Sequence, residues 1–545
     1  MDLWYKNAVV YCLDVETFRD SNGDGVGDFQ GLTDRLDHIE ALGCDCVWLL
    51  PFYPSPNRDN GYDITDFYGV DARLGSPGDV VAFMRAARDR GLKVLVDLVV
   101  NHTSVDHPWF QAARSDPKSP YRDWYIWSEE KPHDADEGVV FPGVQHSTWS
   151  YDDVAGLWYM HRFYEHQPDL NAANPQVRAE IEKIMGYWLE LGVSGFRVDA
   201  VPFLIEHRGL PEDQKPKEDP HRYLTQLRDF LAWRKASAIL LAEANIPMEQ
   251  VEDYFGPEGD RMHVIFNFML NQNLFLSLVR GDAEPMRRVM ASTPALPEKA
   301  QWATFLRNHD ELDLGRLSDA ERQECFAALG PEPHMQLYAR GVRRRLAPML
   351  GGDARKLRLA FSLMFALPGT PVIWYGEEIG MGDDLSLKER NAVRTPMQWT
   401  EDRNGGFSEA PSDALIRPLV CEGPFAFDRV NVQRQHDLDG SLLVHVQRLV
   451  RVRRACPEIG WGTCTPLDVG DSRVLALRYD WNGRTVVVLN NVSDADTEAA
   501  LDVEGAGRLR PLLCVDENRD TLDARSRLPM PAYGFRWFRA LPAEA

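Results

Sequence analysis

The sequence predicts an α/β fold, a (β/α)8 TIM barrel with a small domain inserted after the third strand and a C-terminal antiparallel β-sandwich domain. Short apolar runs recur through most of the chain, as in parallel strands that are buried on both faces. Amphipathic stretches with helical period lie between them. After about residue 461 the pattern changes to alternating apolar and polar residues, which is typical of antiparallel strands.

Eight apolar runs account for the predicted barrel strands. In chain order they lie at residues 8–13, 46–51, 93–100, 195–200, 239–244, 263–268, 302–306 and 371–375. Segments 34–42, 80–90 and 177–191 have the apolar spacing of helices that cover such a barrel. Because the strands of this barrel are parallel, their C-terminal ends meet at one face, and functional residues are expected there.

Changes in composition predict the domain boundaries. We expect the barrel to comprise residues 1–101 and 175–460, and the inserted domain to comprise residues 102–174, which are rich in Trp, Tyr, His and Pro. A second, lid-like insertion is expected at about 313–356, with a basic amphipathic helix at 340–350. The C-terminal domain is expected at 461–545, where Asn482-Gly483 predicts a tight hairpin turn.

Charge and composition argue against several functions. The 545 residues carry a formal net charge of −23, so nucleic acid is not an expected partner, because phosphate binding needs a basic surface. No apolar stretch is long enough to span a bilayer, and the N-terminal residues lack the pattern of a signal peptide. The eight cysteines are scattered, so we expect a cytoplasmic protein with reduced thiols. The sequence leaves a homo-oligomer open.

Arg197 and Asp199 lie two residues apart in the fourth predicted strand. Residues i and i+2 of a strand share one face, so the guanidinium and the carboxylate can pair there. Such a pair keeps an aspartate ionised and oriented, as a carboxylate nucleophile requires. Alone, however, the pattern is more typical of a structural ion pair.

Other strand ends supply further polar side chains. They comprise Asp97, Asn101 and His102 after the third strand, Glu243 after the fifth, and Asn308, His309 and Asp310 after the seventh. Each has a structural interpretation by itself, such as a helix cap or a buried histidine. Together, with Trp and Tyr around them, they favour a site that binds and cleaves a polyhydroxylated ring.

These strand-end motifs resemble those of the α-amylase family, glycoside hydrolase family 13. The resemblance implies that Asp199 is the nucleophile, Glu243 the general acid and base, and Asp310 a third acid that holds sugar hydroxyls. It implies that His102 and His309 donate to the sugar and that Arg197 supports the nucleophile. Retaining glycoside chemistry needs two carboxyl groups about 5 to 5.5 Å apart. The apolar run before Glu243 is expected to raise its pKa, as an acid requires.

Further motifs resemble family members that act on chain ends. Asp63 and Arg394 resemble a pair that clamps the terminal glucose, with Tyr62 as a stacking platform; a surface salt bridge is the alternative interpretation. Phe163 and Gln167, in the segment 161–171, resemble the α-glucosidase and trehalose synthase branches. The predicted substrate is therefore the terminal glucose of a short saccharide.

Two calcium sites are implied by resemblance. The segment 20–28 resembles the first part of an EF-hand loop, although Gly31 stands where the bidentate Glu would be, and a solvated turn is the alternative. The first set of expected ligands is Asp20, Asn22, Asp24, Asp28 and the carbonyl of Val26. The second is Asn101, Asp169, Glu206 and the carbonyls of Phe203 and Leu204. Both ions would be structural.

Three functions remain open on the sequence. The longest matches are to the trehalose synthase branch, which implies an intramolecular isomerase that interconverts maltose and trehalose through a glucosyl-Asp199 intermediate, with the segment 340–350 as part of a lid. An exo-acting α-glucosidase or transglucosylase on small α-glucosides is the alternative. A catalytically silent barrel is a third, although such a protein typically loses the acids that this chain keeps.

Overall fold

The computed structural model describes residues 2–515 and 520–542, and its centre is a closed barrel of eight parallel strands. Each strand pairs with its neighbours in the chain, and the eighth closes on the first through the register Val10 to Val372. All eight lie within the predicted apolar runs or one residue from them, which confirms the fold class. The strands are Val10–Leu13, Cys46–Leu49, Lys93–Leu98, Gly195–Val198, Ile239–Ala242, Val264–Phe266, Gln301–Phe305 and Thr370–Trp374.

The helices that cover the barrel begin with good local capping signals. Pro77–Asp89 starts with a capping box between Ser76 and Asp79, and Pro175–Glu190 is capped by Asn174. Their apolar faces pack against the strands, as the helical spacing predicts. The remaining α-helices of the barrel and its flanks are Phe29–Asp34, Leu36–Leu42, Val201–Glu206, Arg222–Arg234, Val251–Phe255, Phe268–Arg280, Glu284–Ser292, Ala354–Ala366, Val432–His436, Leu442–Arg454 and Glu458–Trp461.

A small domain follows the third strand. It holds the helix Pro108–Ser115 and a three-stranded antiparallel sheet of Trp127–Ser128, Leu157–Met160 and Trp149–Asp152. Its own core is built around Trp149 and Met160. A bridge between His102 and Asp169 joins its two ends beside the third strand. The domain therefore stands directly beside the mouth of the barrel.

The insertion after the seventh strand differs from its prediction. Residues 340–350 do not form a basic amphipathic helix: Gly341–Val342 is a strand, and the only helix in this segment is the four-residue Leu346–Met349. Arg344 pairs with Asp383 and Arg345 with Glu377. These ion pairs hold the segment in an irregular conformation, because the two consecutive arginines reach partners on which a single face of a helix could not place them. The other elements of the insertion are Leu312–Asp313, Asp319–Leu329 and Gln336–Leu337.

The C-terminal domain is antiparallel, as predicted, and the hairpin turn at Asn482 and Gly483 is confirmed by their positive φ angles of 49° and 72°. The indole of Trp537 donates to Ser362, which anchors the domain on a barrel helix. Six strands form one sheet and two another: Thr463–Leu467, Val474–Trp481, Arg484–Asn491, Ala506–Cys514, Leu522–Asp523 and Phe535–Pro542, and then Thr497–Asp502 and Arg525–Met530. The predicted domain, 461–545, includes residues that lie outside the described ones.

Across residues 2–515 and 520–542, no helix combines the length and the apolar character that crossing a membrane requires.

Candidate active site

A cavity of about 830 Å³ opens at the C-terminal ends of the barrel strands. The three predicted catalytic acids lie on its wall, and the inserted domain and the second insertion both contribute to its rim. Its lining includes Asp59, Tyr62, His102, Phe141, Phe163, Asp199, Glu243, Asn245, His309, Asp310, Glu311, Asp313, Arg316, Arg340 and Arg390. The volume suits one or two sugar rings.

Arg197 lies beneath the cavity and is 2% exposed. Its guanidinium donates to the carboxylate of Asp199, as predicted, and also approaches Glu243 at 2.8 Å and Asp97 at 3.5 Å. The strand reaches this point because Gly195 starts it: a Cβ there would lie 2.2 Å from the carbonyl oxygen of Ile239. One buried cation therefore contacts both the predicted nucleophile and the predicted general acid.

The turn after Asp199 brings the acid to the nucleophile. Ala200 has a left-handed backbone, with φ 48° and ψ 40°, and its N–H donates to the carboxylate of Glu243 at 3.1 Å. The N–H of Val201 donates to the carbonyl of Glu243. These bonds fix the ends of the fourth and fifth strands relative to each other, so the two carboxyl groups face the same cavity.

The two catalytic carboxyl groups have different proton affinities. Burial raises the pKa of Asp199 to about 6, against the opposing charge of Arg197. Burial raises the pKa of Glu243 to about 7, where Arg197 opposes the rise and Asp199 and Asp310 add to it. Between these values Asp199 is mostly ionised while Glu243 is mostly protonated, which is the state that a nucleophile and a general acid require.

Asp310 is held in its ionised form. Burial alone would raise its pKa, but the adjoining His309 and the charges of Arg390 and Arg394 reverse the direction and lower it. Arg390 and Arg394 contact the same carboxylate oxygen at 2.9 Å and 3.1 Å. Asp310 is therefore a fixed anion, suited to accept hydrogen bonds from sugar hydroxyls but not to exchange protons.

Tyr62 and the two histidines are rigid parts of the wall. The Tyr62 ring stacks on His309 with ring centroids 5.7 Å apart, and its hydroxyl donates to Asp97 at 2.8 Å. Burial lowers the pKa of His102 to about 3, and it lowers the pKa of His309 far below the ordinary value. Both rings are neutral, and their Nε2 atoms lie at Tyr62: that of His102 is 3.2 Å from the carbonyl oxygen and that of His309 is 2.8 Å from the hydroxyl. Donation of these N–H groups to a sugar stays a prediction. Phe163 lies against His102, with ring centroids 5.1 Å apart.

The predicted clamp between Asp63 and Arg394 is not formed. Asp63 is fully buried and accepts hydrogen bonds from Ser55 and from the backbone N–H groups of Arg58 and Asp59. Arg394 is fully buried, donates to the carbonyl of His309 and supports Asp310 from behind. Neither lines the cavity, so the prediction that they grip the sugar is wrong.

The pair that does face the cavity is Asp59 and Arg390. Their side chains meet at 2.8 Å, and the other guanidinium nitrogen of Arg390 reaches Asp310 at 2.9 Å. The predicted sugar ligand Gln167 is buried behind them and donates to Asp59 at 2.9 Å. Asp59 precedes the predicted Asp63 by four residues, and Arg390 precedes the predicted Arg394 by four residues. No pattern in the sequence distinguishes the two pairs.

The outer part of the cavity is polar and was not predicted from the sequence. Asn245 donates to Asp313 at 2.9 Å and accepts from Arg316. Arg340 of the second insertion contacts Glu311 and donates to the carbonyl of Val140 in the inserted domain. Burial raises the pKa of Glu311 to about 7. This part offers several donors and acceptors to a second sugar unit.

The loop of the first expected calcium site is ordered by its own carboxylates. Asp20 is 2% exposed and accepts from the N–H groups of Asn22, Gly23 and Gly25, while Asp28 caps the following helix through Gly31. Asn22 and Asp24 accept from the N–H groups two residues on. Gly31 therefore serves the helix start, and the bidentate ligand of an EF-hand has no counterpart at that position.

Four of the five residues of the second expected site line one small cavity. Asn101, Asp169, Phe203 and Leu204 line a cavity of about 20 Å³, enough for one water-sized occupant. Glu206 does not line it but pairs with Arg162, which also lines the cavity. Within the described part of the chain, no three His, Cys, Asp or Glu side chains are grouped as metal ligands would be. A calcium ion there would rely on the carboxylate of Asp169 together with amide and carbonyl oxygens.

A parallel (β/α)8 barrel whose strand ends present an ionised carboxylate, a protonated carboxyl group and a fixed anion has the groups that an enzyme needs to cleave a glycosidic bond with retention. Residues 14–328 and 342–462 match the α-amylase catalytic domain, so the chain belongs to the α-amylase family, glycoside hydrolase family 13. Residues 483–539 match a sucrose hydrolase-like C-terminal domain.

Relatives within this family cover the whole chain. The trehalose synthase of Thermus thermophilus is 43% identical over 546 residues, which are 100% of this chain and 56% of that protein. The chain thus spans little more than half of that relative's length. The trehalose synthase/amylase TreS of Mycobacterium tuberculosis is 41% identical over 549 residues, covering 99% of this chain and 91% of the relative.

The solved structures that resemble this protein include the trehalulose synthase MutB from Pseudomonas mesoacidophila MX-45. The TM-score is 0.80 at 25% identity, and the match covers 99% of both chains. The likeness therefore includes the inserted domain and the C-terminal domain as well as the barrel.

Proposed function

We propose that this enzyme interconverts maltose and trehalose within one binding event, through a glucosyl-Asp199 intermediate. The observation that carries the proposal is the bridge from Asp59 through Arg390 to Asp310, with distances of 2.8 Å and 2.9 Å. It closes the end of the cavity behind the catalytic acids. A bridge at this place is expected to admit the terminal glucose unit of a substrate and to keep a long chain from threading through.

The first half of the reaction uses both catalytic acids. The protonated carboxyl group of Glu243 gives its proton to the glycosidic oxygen, and an oxygen of ionised Asp199 bonds to the anomeric carbon. The bond from that carbon to the glycosidic oxygen breaks, and its electron pair stays on the oxygen, which becomes a hydroxyl of free glucose. Arg197 supports both carboxylates while their charges change.

The second half reverses these roles. The released glucose turns within the outer part of the cavity and presents its anomeric hydroxyl to the glucosyl group. Ionised Glu243 removes the proton of that hydroxyl, whose oxygen then displaces Asp199 from the anomeric carbon. The polar wall of Asn245, Asp313 and Arg340 supports this step, because it offers hydrogen bonds to the glucose in more than one orientation.

Calcium is proposed as a structural ion. The oxygen donors of segment 20–28 and the small cavity beside Asp169 support one ion each, in addition to the hydrogen bonds already described. Neither set of expected ligands includes Asp199, Glu243 or Asp310, so both ions are proposed to stabilise the structure and not to take part in the chemistry. Unpaired buried thiols such as Cys12 and Cys325 support a reducing compartment, so we propose a cytoplasmic enzyme.

Product analysis tests the proposal. Purified enzyme incubated with maltose is expected to give mainly trehalose, and incubated with trehalose it is expected to give maltose. Asp199→Asn, which keeps the shape of the side chain, is expected to abolish both reactions. Glucose as the main product identifies the alternative, an exo-acting α-glucosidase, and longer or mixed glucosides identify a transglucosylase.

A further inference from the structure

Glu389 joins two separate segments above the cavity. Its carboxylate accepts a hydrogen bond from the hydroxyl of Tyr164, in the inserted domain, and one from Tyr338, in the second insertion, at 2.5 Å and 2.7 Å. The two hydroxyl groups lie 3.2 Å apart. Phe141 packs on both tyrosine rings, with centroid distances of 4.7 Å to each. This group of four side chains is called the latch below.

The backbone at the latch is held in an unfavourable conformation. Tyr338, Ala339 and Glu389 all have positive φ angles, of 55°, 57° and 45°. Side chains of this kind rarely adopt such angles, and they persist only where the surroundings impose them. Tyr338 and Glu389 meet at a contact between segments that are about fifty residues apart in the chain, and Ala339 follows Tyr338 directly. The contact is therefore one of the interactions that hold the loop in this form.

The latch is connected directly to the site. Arg390 follows Glu389, and its guanidinium lies 5.0 Å from the centre of the Phe141 ring while it reaches Asp59 and Asp310. Arg343 holds the same loop, since it donates to the carbonyls of Leu385, Leu387 and Glu389. The direction of Arg390 thus depends on the loop conformation that the two tyrosine hydroxyls stabilise.

We propose that Glu389 is a positioning residue. Its hydrogen bonds to Tyr164 and Tyr338 form when both insertions have closed over the cavity. The loop conformation that these bonds stabilise then places Arg390 against Asp59 and Asp310. The enzyme assembles its terminal-glucose subsite when the cavity is shut to water. Opening of either insertion releases Arg390 and admits water to the glucosyl intermediate. The part of this inference that concerns water rests on the proposed isomerase function; the part that concerns Arg390 does not.

The test uses three variants at the latch and one control variant, all of the full chain. Glu389→Gly removes the carboxylate but suits the positive φ angle, so the backbone is not penalised. Tyr164→Phe combined with Tyr338→Phe removes both hydroxyl donors. Glu389→Gln keeps an oxygen that can accept both hydroxyls and serves as the conservative rescue. Tyr151→Phe, an exposed tyrosine of the inserted domain, is the matched control.

Two measurements are made on each variant. With p-nitrophenyl α-D-glucoside, Glu389→Gly and the double variant are expected to raise KM about tenfold at nearly constant melting temperature, whereas Glu389→Gln and Tyr151→Phe stay within about twofold of wild type. With maltose, the first two are expected to raise the ratio of glucose to trehalose about tenfold. An unchanged KM and an unchanged ratio in both variants overturn the positioning role. A wild-type enzyme that makes no trehalose contradicts the proposed function instead, and the KM comparison still decides the role of Glu389.

Discussion

Arg197 lies 2.8 Å from Glu243 and at the same time donates to Asp199, so a single buried guanidinium contacts the nucleophile and the general acid. In an ordinary ion pair, the cation would only hold one carboxylate in its charged form. Under the proposed mechanism it also balances the change in charge of the two carboxyl groups during each half of the reaction. The contacts of Arg197 with both carboxyl groups favour the catalytic interpretation of the Arg-x-Asp pattern over that of a structural ion pair.

The planar fork of Arg197 is predicted to be essential. Arg197→Lys keeps the positive charge but cannot reach both carboxylates, so kcat is expected to fall by about 100-fold or more, as the loss of charged hydrogen bonds implies. Steady-state kinetics on maltose measures this. Arg484→Lys, at the exposed C-terminal hairpin, is the control and keeps full activity. A kcat within threefold of wild type in Arg197→Lys would contradict the shared role.

The corrected clamp predicts a contrast between two aspartates. Asp59→Asn weakens the bridge to Arg390 in the cavity, so kcat/KM for maltose is expected to fall by about 10-fold to 100-fold with little change in thermal stability. Asp63→Asn replaces one oxygen of a buried carboxylate that accepts three hydrogen bonds by an NH2 group, which cannot accept from a backbone N–H, so it is expected to lower the melting temperature first. Kinetics and thermal melts of both variants check this. A large fall in kcat/KM in Asp63→Asn, with a loss of thermal stability only in Asp59→Asn, would favour the clamp of Asp63 and Arg394 that was expected from the sequence.

The pH dependence of the reaction follows from the two raised pKa values. Activity needs Asp199 ionised, so it is expected to fall as the pH drops through about 6, where that carboxylate gains a proton. It also needs Glu243 protonated, so it is expected to fall as the pH rises through about 7. The profile of kcat/KM should be bell-shaped, with a narrow maximum between these limits. Replacement of Glu243 by Gln should remove the alkaline limb from any residual activity on an activated glucoside.

Calcium removal tests the structural ions. Dialysis against EDTA is expected to lower the melting temperature by several degrees, because an ion that binds only the folded state stabilises it. Added calcium should restore the original value. Elemental analysis should find up to two ions per chain, with one lost in Asp20→Asn and the other in Asp169→Asn. A protein that contains no calcium before dialysis and has the same melting temperature after it would contradict both proposed calcium sites.

The sequence predicted the parts that depend on local pattern. Continuous apolar runs and strand-end acids predicted the barrel and placed Asp199, Glu243 and Asp310 on one wall, because parallel strands bring their ends together. The second insertion was mispredicted, since Arg344 and Arg345 are fixed by Asp383 and Glu377, which lie far away in the chain. Such long-range ion pairs leave no periodic signal.

The terminal-glucose clamp failed for a related reason. Asp59 and Asp63 lie in one short loop, and Arg390 and Arg394 lie in another, so composition and spacing fit either pairing. Which member of each pair faces the cavity depends on the turn that Asp63 stabilises through backbone N–H groups. The outer residues, such as Asn245 and Arg316, also come together only through the folded loops.

The most direct test of the central claim is a labelling experiment. The enzyme is incubated with unlabelled maltose in the presence of excess ¹³C-labelled glucose, and the trehalose is analysed by mass spectrometry. If the released glucose turns within a closed cavity and rejoins the glucosyl-Asp199 intermediate, trehalose is the main product and carries almost no label. Trehalose with one labelled ring, or glucose as the main product, would contradict the intramolecular isomerase.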